Sequence, residues 1–334
     1  MSPPTPLAKT RVPDSAAPGV AAMVSIPTIT LVLIAATTAA LPRTLFIPAA
    51  IEAWLAVWVA ICVQALPFLA LGVVVSGSIA AFAPPDLLKR IVPRDPAGAV
   101  VAAGLSGVVL PGCECASVPV ANSLVRNGVP PAAALTFLLA APAVNPVVMV
   151  ATAVAFSGQP MMVIGRFLAA LITAWIVGLL WIRFGRDEWL RVSRATTHAQ
   201  TQPWAVFRRT ALHDFLHAGG FLVLGAAIAA SINVLLPQRY LDQLAGNAVV
   251  AVLTLALLAV VVSICSEADA FVAASLTAFS PLAQLVFMTV SPMVDVKLIS
   301  MQAGTFGTGF SARFAPATFL VAVLVAVGVG TVVL

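Results

Sequence analysis

Two stretches, Ala248 to Val262 and Ala315 to Leu334, carry no charged residue and are apolar on nearly every helical face. A segment with no polar side to turn toward water belongs in a core or in a bilayer. Composition selects the bilayer. Of 334 residues, 61% are hydrophobic and only 9% charged, and the mean hydropathy of +1.08 is beyond what a water-solvated domain tolerates. Several stretches approach or exceed the roughly 20 residues that cross about 30 Å of hydrocarbon as a helix. A membrane barrel would instead alternate in segments of about 10 residues, whereas a helix satisfies each backbone amide within itself. The reading is an all-α polytopic protein of the plasma membrane.

Charge placement sets the layout. All but Lys9, Lys89 and Lys297 of the 17 basic residues are Arg, mostly between apolar segments, so the net charge of +5 reads as topology and calls for no nucleic-acid partner. Apolar segments fall near 21–42, 52–83, 97–125, 131–157, 160–183, 210–236, 247–279, 281–303 and 315–334. The expected order is a disordered cytoplasmic tail over 1–20, an extra membrane helix over 21–49, a membrane repeat over 50–184, a cytoplasmic linker over 185–209 and a second repeat over 210–334. Lys9 and Arg11 ahead of an apolar run also fit a secretory signal peptide, but a run of about 20 residues favours an uncleaved helix. The arginines between 183 and 209 place that loop in the cytoplasm, together with Lys89, Arg90 and Arg94. Both placements hold if 97–125 and 247–279 dip in and return, the first broken at Pro111-Gly112 and again near Pro119. That gives about seven full spans and two re-entrant hairpins.

The halves repeat. An offset of 150 pairs Cys115 with Cys265, Pro131 with Pro281, Leu135 with Leu285, Phe137 with Phe287, Pro142 with Pro292 and Asn145 with Asp295. Upstream, an offset of 153 pairs Phe68 with Phe221, Gly72 with Gly225 and Ser78-Ile79 with Ser231-Ile232. An odd number of full spans in each copy makes the repeats inverted, the arrangement with which secondary transporters bring broken helices together at a midplane site. A duplication kept only for packing is the alternative.

The candidate site lies in these hairpins. The first reads Pro111-Gly112-Cys113-Glu114-Cys115-Ala116-Ser117, the second Cys265-Ser266-Glu267-Ala268-Asp269. A charge at mid-bilayer costs between about 3 and more than 10 kcal/mol, so Glu114, Glu267 and Asp269 are expected to face a protein-lined or wet cavity. Cys113 and Cys115 flank one residue, which lets two thiolates reach one soft centre, with Cys265 joining them if the hairpins meet; packing as small buried hydrophobes is the alternative, and is the reading for Cys62. After each hairpin comes a proline-broken segment, Pro142 to Pro146 and Pro292 to Lys297, with breaks expected at Pro142, Pro146 and Pro292. Asn145 and Asp295 hold equivalent places. Asp295 can bind a proton or cation beside Lys297, or simply pair with it. The substrate- or ion-binding set is Cys113, Glu114, Cys115, Ser117, Asn145, Cys265, Glu267, Asp269, Asp295 and Lys297.

Other features weigh less. His213, Asp214 and His217 read as interfacial, as do Arg166 and Arg313. Gly304 to Gly309 follows no strand and has no adjoining Lys, so it is not a phosphate-binding loop. No catalytic residue, cofactor or resident metal is assigned, and transport would draw on a gradient or a partner ATPase. A structural zinc lacks a paired CxxC or His cluster.

Residues 111–146 and 263–298 resemble the family of predicted permeases that includes the bacterial organoarsenical efflux permeases. The resemblance extends more loosely over about 50 to 334. It rests on a Pro-x-Cys-x-Cys turn borne by Pro111, Cys113 and Cys115, with Glu114 between the cysteines and Ala116-Ser117 where a glycine often follows. It implies a secondary permease for a small thiophilic solute, such as a trivalent (organo)arsenical or soft metal species, moved outward through thiol contacts. A transmembrane thiol–disulfide oxidoreductase is the alternative, although CxC is less usual than CxxC and no thioredoxin-like domain is attached. A scaffold subunit would leave the buried carboxylates unexplained.

Overall fold

Proline opens helix after helix. Pro96, Pro131, Pro146, Pro160 and Pro281 all stand in the first turn of their helices, where the missing N–H would have had no partner anyway. The computed structural model describes residues 49–82, 93, 95–108, 113–191, 203–235 and 247–334. Among them run α1 (Ala49–Phe82), α2 (Pro96–Ser106), α3 (Glu114–Arg126), α4 (Pro131–Val144), α5 (Pro146–Ala155) and α6 (Pro160–Phe184). Then come α7 (Pro203–Leu235), α8 (Ala248–Val262), α9 (Asp269–Ser275), α10 (Pro281–Val290), α11 (Val296–Phe306) and α12 (Thr308–Val333). Among the described residues there is no strand. The expected tail, the helix over 21–42, the break at Pro111-Gly112 and the basic residues at 89, 90 and 94 lie outside the described residues.

Among the described residues, five stretches are long and apolar enough to cross a membrane: 51–82, 131–155, 160–184, 203–231 and 308–333. Their outward faces carry large apolar side chains, among them Leu320, Leu324 and Val332, the last 86% exposed. Such a face suits lipid and not water.

The order of elements in α1–α6 recurs in α7–α12, and so does much of the packing. α2 packs on α4 as α8 does on α10, α4 on α6 as α10 does on α12, and α3 on α11 as α9 does on α5. Two like pairs join the halves, α1 with α7 and α6 with α12. The paired glycines both serve close approach. A Cβ on Gly72 would lie 2.5 Å from the Ala116 Cα of α3, and one on Gly225 2.8 Å from the Lys297 Cα of α11. Small residues let helices approach where lipid supplies no hydrophobic drive.

Several sequence boundaries move. The segments 97–125 and 247–279 are each two short helices, and 281–303 is broken into α10 and α11 instead of forming one span. α7 takes in 203–209, which the expected linker had claimed, because Pro203 is a good first helical residue. Pro119 and Pro142 do not break their helices. Each removes one backbone bond, but both sit in buried helices whose packing holds the turn. The break in the first half falls at Asn145, the residue before Pro146, which is pushed to extended backbone at φ −70°, ψ 155°. In the second half it falls at 291–295, around Pro292.

Candidate functional site

α3 begins inside the protein. Cys113 is its N-cap, Glu114 its first residue and Cys115 its second, and all three are buried. A carboxylate in a first helical turn meets the unpaired N–H groups there. Ser117, one turn on, donates its hydroxyl to the Glu114 carbonyl at 2.9 Å. Pro119 cannot supply the amide hydrogen that the Cys115 carbonyl would otherwise receive.

The Glu114 side chain crosses to the other half. Its Oε1 accepts from Lys297 Nζ at 2.6 Å, and its Oε2 accepts from Ser266 Oγ at 3.5 Å. Lys297 also faces Asp295 Oδ2 at 3.7 Å, and none of these three charged side chains is exposed. An unpaired charge in such surroundings would be prohibitive, so each depends on its neighbours.

A second ion pair also bridges the halves. Arg166 Nη2 donates to Asp269 Oδ2 at 2.8 Å and to the Ser266 carbonyl at 3.1 Å, while Nη1 donates to Thr152 Oγ1 at 2.8 Å. Arg166 is fully buried, which corrects the expectation of an interfacial anchor. The cause is its fork of donors, whose two terminal nitrogens meet three converging acceptors while Nε is left without a partner. Arg313, the other arginine expected at an interface, does lie exposed, 5.2 Å from the centre of the Trp189 ring.

Cys265 is buried and its carbonyl accepts from the Ala268 and Asp269 amides. The chain reaches it through Ser263, whose φ of +51° is the one positive value at a non-glycine among the described residues, a costly conformation that packing must hold. Cys113 and Cys115 flank Glu114 at the start of α3, both fully buried. Cys265 lies within electrostatic range of Cys115, Lys297 and Glu114. Cys62 on α1, read from sequence as packing, is within range of Cys115 and Lys297 as well. All four cysteines are buried and free. Among the described residues, no three His, Cys, Asp or Glu side chains are placed to hold a metal ion.

Asn145 and Asp295 are the N-caps of α5 and α11, accepting from the Val148 and Leu298 amides. Glu267 is half-buried, with a buried Oε2 that has no hydrogen-bond partner. Sequence reasoning missed Ser266, which joins the two ion pairs through its hydroxyl and its carbonyl. It read Asp214 as interfacial, whereas the residue is buried and accepts from Ser76 Oγ at 2.7 Å, while His213 and His217 stay exposed. A position inside an apolar run was the available signal for Arg166. Ser266 offered none.

A sequence model described as predicted permease matches residues 50–331. A Streptococcus mutans protein named as a subunit of a two-component membrane permease complex is 32% identical over 293 residues, 85% of this chain and 97% of that protein. The UPF0718 protein YcgR of Bacillus subtilis is 32% identical over 277 residues, 81% of this chain and 94% of that protein. No solved structure matches the chain. Match length, identity and a helical membrane fold agree, and the chain belongs to the predicted permease family as a multi-pass membrane protein.

Proposed function

We propose that this permease exports a small thiophilic solute, with trivalent organoarsenicals as the best-fitting class. One observation supports the reading: free, buried thiols of both halves lie near the Glu114–Lys297 pair, with Cys113 and Cys115 flanking Glu114 at the start of α3 and Cys265 preceding Ser266, whose hydroxyl reaches Glu114 Oε2. Soft trivalent arsenic prefers sulfur ligands. In binding, two of the three thiols each lose a proton that leaves with one of the two arsenic hydroxides as water while an As–S bond forms, and nothing is oxidised or reduced. Glu114, Ser117, Asn145, Glu267, Asp269, Asp295 and Lys297 complete the proposed solute and ion site.

The two halves, 50–184 and 210–334, act as inverted repeats. Rocking of the halves would break the Glu114–Lys297 and Arg166–Asp269 pairs, both of which bridge them. The name of the Streptococcus mutans relative supports a second component, which would assemble with this chain and help drive it.

Expression in an arsenical-sensitive bacterium tests the reading. The chain should raise tolerance to phenylarsine oxide, and Cys115→Ser/Cys265→Ser should abolish the gain at equal membrane abundance. Full tolerance in that variant would remove the thiol-binding proposal.

A further inference from the structure

Asn145 and Asp295 do the same structural work with different chemistry. Each caps a helix by accepting the amide of the residue three places on: Val148 to Asn145 Oδ1 at 3.0 Å, and Leu298 to Asp295 Oδ1. The other terminal atom of Asn145, Nδ2, donates to the Ala141 carbonyl at 3.1 Å. In Asp295 the corresponding atom is Oδ2, and the offset of 150 puts the Ser291 carbonyl in the place of Ala141's. An ionised carboxylate has no hydrogen to give there. Oδ2 is buried without a hydrogen-bond partner, and so is the Ser291 hydroxyl. A neutral amide suffices for the cap in the first half, so capping does not require the charge of Asp295.

Charge balance points the same way. Arg166 and Asp269 cancel one another. Glu114 and Asp295 share the single ammonium of Lys297, nearer to Glu114, with all three side chains at 0% exposure. Fully ionised, this sealed triad carries one net negative charge, which burial penalises strongly. The excess falls on the one carboxylate oxygen of the triad that has no hydrogen-bond partner.

We propose that Asp295 Oδ2 is a proton-binding site, loaded and emptied during the transport cycle, so that solute movement is coupled to proton movement. The proton comes from water on one side of the membrane, forms the O–H bond at Oδ2, and returns to water on the other. Loaded, Asp295 resembles Asn145 chemically, with a donor at Oδ2 as Asn145 has at Nδ2. Emptied, it competes with Glu114 for Lys297, whose bond to Glu114 ties α11 to α3.

The surrounding charges are few. Lys297 stands on the same helix, and α3 presents Glu114 and Cys115. Beyond Lys297 lie Cys62 on α1 and Cys265 and Glu267 in the turn before α9. α7 brings His217 only to the Gly304 carbonyl at the far end of α11. On α12, Arg313 points away over Trp189.

The coupling rests on the permease reading, but proton binding can be measured without any cargo. Infrared spectra of the purified full chain in lipid nanodiscs should show a protonated-carboxyl stretch at neutral pH. Asp295→Asn should remove it and Glu267→Gln should leave it. If Asp295→Asn does not fold, Asp295→Glu should displace the same stretch. A stretch unchanged by the Asp295 substitutions, or absent in the wild-type chain, overturns the proposal. In proteoliposomes, phenylarsine oxide transport by the wild-type chain should accelerate under an imposed pH gradient, and transport by Asp295→Asn should stay at its no-gradient rate. Wild-type transport without the stretch refutes the proton site alone. The stretch without transport refutes the cargo alone.

Discussion

The ammonium of Lys297 stands 2.6 Å from Glu114 Oε1, across 183 positions of sequence and from the opposite half of the protein. Neither side chain is exposed. Their pairing holds the start of α11 against the start of α3, beside the cysteines.

Removing one partner of this pair should be far worse than removing both. Lys297→Met leaves Glu114 and Asp295 without their cation and should cost about 3–5 kcal/mol, whereas Glu114→Gln/Lys297→Met should recover a large part of it. Thermal unfolding in detergent, followed by size-exclusion fluorescence, measures the difference. Equal losses in single and double variants would mean that the pair contributes no coupling.

Arg166 and Arg313 share an Arg-Phe sequence but should respond differently to the same change. Arg166→Leu strands Asp269 in a buried site and should cost about 3–5 kcal/mol. Arg313→Leu, at an exposed position, should stay within about 0.5 kcal/mol of the wild-type chain. Parallel melting curves decide it, and similar shifts would contradict the burial of Arg166.

Buried thiols should react slowly. Cys113, Cys115 and Cys265 are each no more than 3% exposed, so a membrane-permeant maleimide should modify them much more slowly than a thiol introduced at the exposed Glu188, between α6 and α7. Mass spectrometry of peptides over a time course gives the rates. Phenylarsine oxide should slow Cys113 and Cys115 further. Equal rates at all sites would show that the site is open at rest.

The hydroxyl of Ser76 should matter through Asp214. Ser76→Ala deletes a 2.7 Å hydrogen bond to a buried carboxylate and should destabilise the chain by about 1.5–3 kcal/mol. Ser123 donates to the Ser76 carbonyl at 2.9 Å, so this tie joins α1, α3 and α7. A variant with unchanged melting temperature would show that water replaces the hydroxyl without loss.

Much of this was legible along the chain. Apolar runs gave the helical membrane class, and the offset of 150 equated Asn145 with Asp295, which the structure places at two helix N-caps. Local chemistry determines both features, since hydropathy and capping act within a few residues. The contacts of Arg166 were not legible, because a guanidinium near a helix end can reach headgroups or turn inward, and only the distant Asp269 and Ser266 decide which. Pro119 and Pro142 misled for a related reason. Proline weakens a helix locally, and packing from elsewhere kept these two helices continuous.

The glycines at 72 and 225 have a bearing on which substitutions the chain can accept. Each seats a helix that carries one member of the central ion pair, so two hydrogens in place of two side chains set the gap across which Glu114 and Lys297 meet. A side chain at either position would push its helix outward and widen that gap. The two halves therefore check each other's tolerances, and an enlargement in one cannot be absorbed by the other.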